Sequence, residues 1–185
     1  MRKLIIIAGP SGAGKTTISE YLRAKFDIPR VITHTTRPMR AGEQNGVDYY
    51  FETDESFAQL HFFEHVRYGS YQYGSSRESL EKSFAKHEIV SLIVETAGVE
   101  TYLKQLPQES VFIYLTVSDQ KILGKRLVDR GDAPEQIEKR LNSAEFKRDL
   151  SLNKFLTEHA HVINNDVLET AQQQVDELIL SLLNV

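Results

Sequence analysis

The sequence predicts an α/β fold: a parallel sheet flanked by helices, with a small inserted lobe and a short lid. Three observations carry that expectation. Continuous apolar runs, "LIIIA", "EIVSLIVE", "SVFIYLTV" and "HVINN", recur along the chain, each followed by a helical pattern or a glycine turn into one. An unbroken apolar run is the mark of a strand covered on both faces, and strands alternating with helices give a parallel sheet with right-handed crossovers. The first run leads through a glycine-rich loop, "GPSGAGKTT", into a helix. Over about residues 33–87 the rhythm breaks into short aromatic segments punctuated by glycine, the composition of an inserted lobe.

Taken in order, residues 4–8 form the first strand, and "KTTISEYLRAKF" follows as a helix because Ile18, Tyr21, Leu22 and Phe26 recur at helical spacing. In the lobe, "DYYFET" and "YGSYQYGSS" read as antiparallel strands of a small α+β unit. Core strands follow at 88–95, 110–117 and 161–165. "DRGDAPEQ" interrupts two charged helices near residue 132 as a second excursion. The expected organisation is one domain over 1–185, with a core of 1–32 and 88–185, a lobe at about 33–87 and a lid at about 126–148. There is no internal repeat or low-complexity segment.

Composition narrows the function. The net charge of −4 argues against a general nucleic-acid binder. The chain has no cysteine, which removes a disulfide framework and a thiolate metal site. "LIIIA" is too short for a bilayer span or a signal-peptide core, so a cytoplasmic chain without a membrane partner is expected.

Gly9, four residues, then Gly14-Lys15-Thr16 is the spacing G-x-x-x-x-G-K-[ST] of a phosphate loop. Glycines let successive backbone N–H groups turn inward on an anion, and the helix that follows adds its positive end. The expectation is a P-loop NTPase core in which Gly9, Pro10, Ser11, Gly12, Ala13, Gly14, Lys15, Thr16 and Thr17 hold a nucleoside triphosphate. Lys15 reaches its β- and γ-phosphates, and Thr16 ligates Mg²⁺ through its hydroxyl. In "THTTRPMRAGEQNGVDYYF", Arg37 and Arg40 are able to fork onto a second phosphate; two loop arginines taken alone fit a solvated surface better, and Tyr49 and Tyr50 after the glycine turn weaken that reading. Arg126 and Arg130 lie four apart on a helix and share a face.

Over nearly its whole length the chain resembles the guanylate kinases. "GPSGAGKTT" is similar to their ATP loop, and "TTRPMRAGEQNGVDYYF" to their long T-T-R-x-P-R-x-G-E-x-x-G-x-D-Y-x-F signature. "FFEHVRYGSYQYGSS" resembles their F-x-E…YYG-[ST] segment, "KRLVDRG" and "KRLNSAE" their arginine-bearing lid, and "VINNDVLETA" their V-I-V-N-D-D-L-x-x-A. The resemblance implies ATP-dependent phosphorylation of GMP to GDP in purine metabolism, with ATP and Mg²⁺ as donor and metal. By it, Arg37, Arg40, Tyr49 and Tyr73 hold the GMP phosphate, Thr33 lies near the base, and Glu64 and Ser75 read guanine. Guanine offers adjacent N–H donors on one edge, which suits an ionised carboxylate. The resemblance also places Arg126, Arg130 and Arg140 with Lys15 around the transferred phosphoryl, Asn165 near adenine, and Glu95 at the substrate-facing strand end.

Three departures stand out. Where the family has L-x-[ED]-I-D-x-Q-G, this chain reads "LIVETAG": Ile93 replaces a carboxylate, Glu95 replaces aspartate and Ala97 replaces glutamine. Pro38 follows Arg37 directly, and the lid between Arg130 and Ile137 is one residue short. The alternative readings are a divergent kinase for another small acceptor and a non-catalytic guanylate-kinase-like binding module. Such modules typically have a degraded loop, and the intact Lys15 and Thr16 argue against that one.

Overall fold

A computed structural model describes residues 2–40, 42–68 and 70–183. The core sheet holds β1 (Lys3–Ala8), β6 (Ile89–Ile93), β7 (Ser110–Thr116) and β8 (Ala160–Asn164) in the order β6-β1-β7-β8, every pair parallel. The four apolar runs are thus the four strands, with shifted ends: β1 and β8 begin one residue earlier than expected, and β6, β7 and β8 stop short. The strand read over 88–95 stops at Ile93, so Glu95 sits at the N-terminal boundary of helix α4 (Thr96–Gln105).

Side chains alternate across a strand, so β1 feeds two cores at once. Leu4, Ile6 and Ala8 face one side with Val99, Tyr102 and Leu103 of α4 and with Phe63, Leu80 and Phe84 of the lobe. Ile5 and Ile7 face the other with α1 (Lys15–Phe26) and α9 (Leu168–Leu183), through Ile18, Leu22, Val175 and Ile179. All of Leu4–Ala8 is fully buried, which is why that stretch carries no polar residue. Among the described residues, no helix is long and apolar enough to cross a membrane.

The lobe carries a second sheet of β2 (His34–Thr35), β3 (Tyr50–Phe51), β4 (Phe62–Tyr68) and β5 (Tyr71–Ser76), ordered β3-β2-β5-β4, together with α2 (Asp54–Phe57) and α3 (Arg77–Phe84). One expectation is corrected here. The "YGSYQYGSS" strand is antiparallel to its neighbours, but β3, the "DYYFET" strand, runs parallel to β2. The cause is the segment 36–49, long enough to carry the chain back to the end where it began, as a parallel neighbour requires. His34, one of the six histidines, packs inside the lobe. Its ring nitrogens meet Glu52 Oε1 and Ser76 Oγ, each at 2.8 Å, and tie three segments together.

The second excursion lies between α5 (Gln120–Asp129) and α6 (Pro134–Leu141), followed by α7 (Ala144–Asp149) and α8 (Lys154–His159). Pro134 opens α6, the helix position where a missing N–H costs nothing.

Candidate active site

The loop between β1 and α1 has the geometry its glycines predict. Gly9, Gly12 and Gly14 adopt φ of 143°, 87° and 96°. A Cβ on Gly9 would lie 2.1 Å from the Leu115 carbonyl oxygen of β7. Gly9→Ala therefore meets both an unfavourable φ and a fixed backbone atom. We expect it to lose about 4 kcal/mol or more, and its Tm to fall by about 10 °C or more; a calorimetric scan within about 3 °C of wild type would contradict this. Gly14 makes room for Asn165, which is 3% exposed and whose Nδ2 donates to the Ala13 carbonyl at 2.8 Å. Asn165 thus braces the loop from beneath. Its buried Oδ1 meets no hydrogen-bond partner among the described residues.

Lys15 folds over the loop, its Nζ donating to the carbonyls of Gly9 at 2.6 Å and Pro10 at 2.9 Å. Burial pulls its pKa down to about 8, against the opposing pull of Asp149 and Glu95. Beside it opens a cleft of about 660 Å³ whose lining includes Thr16, Arg126, Arg130 and Arg140. Arg126 Nη2 donates to the Asn165 carbonyl at 2.7 Å, Arg140 Nη1 to Ser11 Oγ at 3.0 Å, and Arg130 pairs with Asp132 across the α5–α6 turn. Four cations, Lys15 of α1, Arg126 of α5, Arg130 at its C-terminal end and Arg140 of α6, therefore line one cleft.

The second sheet and its loops gather most of the other candidate residues. Arg37 is 8% exposed and forks onto Glu43, with Nη2–Oε1 at 2.7 Å and Nη1–Oε2 at 3.0 Å. It lies 5.8 Å from the Tyr49 ring centroid, and the Tyr49 and Tyr73 rings are 6.2 Å apart. Arg40 stands exposed at the same turn, its N–H bound to Glu43, and the Thr33 carbonyl accepts from Tyr50 N at 2.8 Å, a backbone bond between the start of β2 and β3. On β5, Tyr73 and Ser75 point to one face, and Glu64 of β4 stands opposite Ser75. Ser75 Oγ donates to Glu64 Oε1 at 2.8 Å. Burial pushes the Glu64 carboxyl above its ordinary pKa, against the bond from Ser75.

Glu95 pairs with α7. Arg148 of α7 donates to it from Nη2 at 2.6 Å and reaches Asp149 Oδ1 from Nε at 3.4 Å. Asp149 is 7% exposed, accepts from the backbone N and hydroxyl of Thr96, and is pinned by Tyr114, whose hydroxyl donates to its carbonyl at 2.8 Å. Its own pKa is raised by burial. Among the described residues there is no cluster of three or more carboxylates or histidines placed to hold a metal.

A family model described as guanylate kinase matches residues 1–182. The chain belongs to the guanylate kinase family. Among curated guanylate kinases, one from Thermus thermophilus is 37% identical over 174 residues, covering 91% of this chain and 76% of the relative. That of Synechococcus sp. (strain JA-3-3Ab) is 34% identical over 183 residues, covering 96% and 82%. The fold is also that of the guanylate kinase from Anaplasma phagocytophilum, with a TM-score of 0.64 at 20% identity over 97% of this chain and 85% of the other.

Sequence reasoning missed four residues that pack behind the candidate site residues of this guanylate kinase family member. Arg148 and Asp149 sit in "FKRDL", which looks like any solvated charged helix, and only the fold turns them toward Glu95 and Thr96. Gly98 and Tyr102 of α4 lie beneath Glu64 and Ser75. The glycine was visible within the strand-end motif, whereas the tyrosine looked like an ordinary core residue.

Proposed function

We propose that this protein, acting in the cytoplasm, transfers the γ-phosphoryl group of ATP to GMP, giving ADP and GDP. The observation that carries the reading is the hydrogen-bonded pair of half-buried Glu64 and buried Ser75 in a lobe that also buries Arg37, in a chain with an intact phosphate loop.

The roles follow from the chemistry of each group. Backbone N–H groups of the loop and the ammonium of Lys15 hold the triphosphate once Lys15 leaves the loop carbonyls. The Thr16 hydroxyl is exposed at the cleft and fits one ligand position of Mg²⁺, the remainder being phosphate oxygens and water, as this ion prefers. Bound there, Mg²⁺ would neutralise charge on the phosphate oxygens. Arg37, Arg40, Tyr49 and Tyr73 take the GMP phosphate, and Glu64 accepts the N–H donors of guanine. Arg126, Arg130 and Arg140 stabilise charge on the transferring group in an in-line attack. The attacking phosphate is already an anion near pH 7, so the protein supplies position and charge rather than a base. We place the acceptor lobe at about 33–87 and a lid at about 126–148; their closure would exclude water that otherwise hydrolyses ATP.

The test is ADP release from ATP·Mg²⁺ with a panel of nucleoside monophosphates; GMP no better than AMP would sink the reading. A second reading, another small acceptor, is favoured by the altered strand end, where Glu95 is engaged by Arg148 and Ile93 packs into the core. Replacement of Glu95 decides between them. Glutamate reaches about 1 Å further than aspartate, and misplacement on that scale costs up to about 10²-fold. Glu95→Ala should lose activity on that scale, and Glu95→Asp should keep or raise it. Wild-type kcat in Glu95→Ala would take this strand end out of the site and favour the other acceptor.

A further inference from the structure

We infer that Tyr102 is a positioning residue for base recognition: its buried hydroxyl holds Ser75, and through Ser75 keeps one Glu64 oxygen engaged and the other turned to the base. The inference rests on the GMP reading above and deepens it.

Tyr102 is 1% exposed, with its ring packed on Phe63 at 4.6 Å between centroids. Phenylalanine would fill the same space. The hydroxyl instead donates to Ser75 Oγ at 2.6 Å, and Ser75, also 1% exposed, donates to Glu64 Oε1 at 2.8 Å. Elementary valence gives this chain one direction. An ionised carboxylate only accepts, so the single hydrogen of Ser75 goes to Glu64; Ser75 can then only accept from Tyr102. Burial raises the Tyr102 pKa, so it remains a donor across the working pH range. Linked hydrogen bonds polarise one another, so the phenol also strengthens the Ser75–Glu64 bond.

The same helix shapes the other side of the carboxylate. A Cβ at Gly98 would stand 2.9 Å from Glu64 Cγ and 3.5 Å from Oε2. Gly98 and Tyr102 are four apart on α4 and therefore share a face. One face of α4 thus supports Glu64 directly through Gly98 and indirectly through Tyr102 and Ser75. Removing the phenol leaves a buried Ser75 oxygen short of a donor and lets the pair drift.

The experiment is a cycle of Tyr102→Phe, Ser75→Ala and the double variant, read by steady-state kinetics and by calorimetric GMP binding. Tyr102→Phe should raise KM and Kd for GMP about three- to tenfold, the worth of one buried hydrogen bond. It should leave kcat and the KM for ATP within about twofold, and kcat/KM for AMP unchanged. Added to Ser75→Ala, it should change GMP affinity by less than about twofold. Unchanged GMP affinity in Tyr102→Phe, an undiminished loss in the Ser75→Ala background, or equal losses for ATP and GMP would each overturn the inference. Wild-type protein that binds no GMP would overturn the functional reading as well, so the two failures are distinguishable.

Discussion

Replacing Lys15 with alanine is expected to lower kcat for phosphoryl transfer by about 10³-fold or more, with the thermal transition near that of wild type. The kinetic loss follows from removing the one ammonium that the loop itself carries toward the transferring group. Stability should be spared because burial already disfavours the charged form: a pKa lowered to about 8 means that the folded state holds this proton less tightly than the unfolded chain. A pH signature accompanies the prediction. A bound triphosphate favours ammonium and raises that pKa again, so above about pH 8 ATP binding must take up a proton and its affinity falls as pH rises. Calorimetry in buffers of different ionisation enthalpy, run about half a pH unit above that pKa, measures the uptake. It should be present in wild type and absent in Lys15→Ala. An alanine variant that turned over normally, or that retained the uptake, would remove Lys15 from the donor site.

The second large effect falls on the base. Glu64→Gln should cut kcat/KM for GMP by about 5- to 150-fold, the roughly 1–3 kcal/mol of a good bidentate base contact, and narrow the gap to AMP. An amide presents an N–H₂ where guanine also presents donors, so one contact becomes a clash of like partners. Acidification should mimic the substitution. The carboxyl is raised by burial, so it gains its proton as pH falls through a value above the ordinary carboxylate range, and GMP affinity drops on that limb. In Glu64→Gln the limb should flatten. A variant with wild-type kcat/KM for GMP would place the base elsewhere.

Much of this was legible in the residues. The four apolar runs became the four parallel strands because an unbroken run has few alternatives when both faces are covered. The loop was legible because its glycine spacing answers a backbone need, and the positive φ values fall where the motif requires them. The direction of β3 was not, since two residues of strand carry no polarity signal and the path of 36–49 decides it. Nor were Arg148 and Asp149: a charged helical segment reads the same whether it faces water or Glu95. Tyr102 was hidden for the opposite reason. Its ring satisfies the core pattern fully, and nothing in "ETYLKQ" shows that its hydroxyl ends on Ser75.

The resting partners of the cations bear on turnover. Arg37 lies in the fork of Glu43, Arg130 on Asp132, and Lys15 against two carbonyls of its own loop. A substrate therefore displaces rather than fills: each new phosphate contact is set against a bond given up, and the net gain is a difference between similar quantities. The same competition works in reverse after transfer. On the proposed roles, Glu43, Asp132 and the loop carbonyls stand ready to reclaim their cations as the products leave.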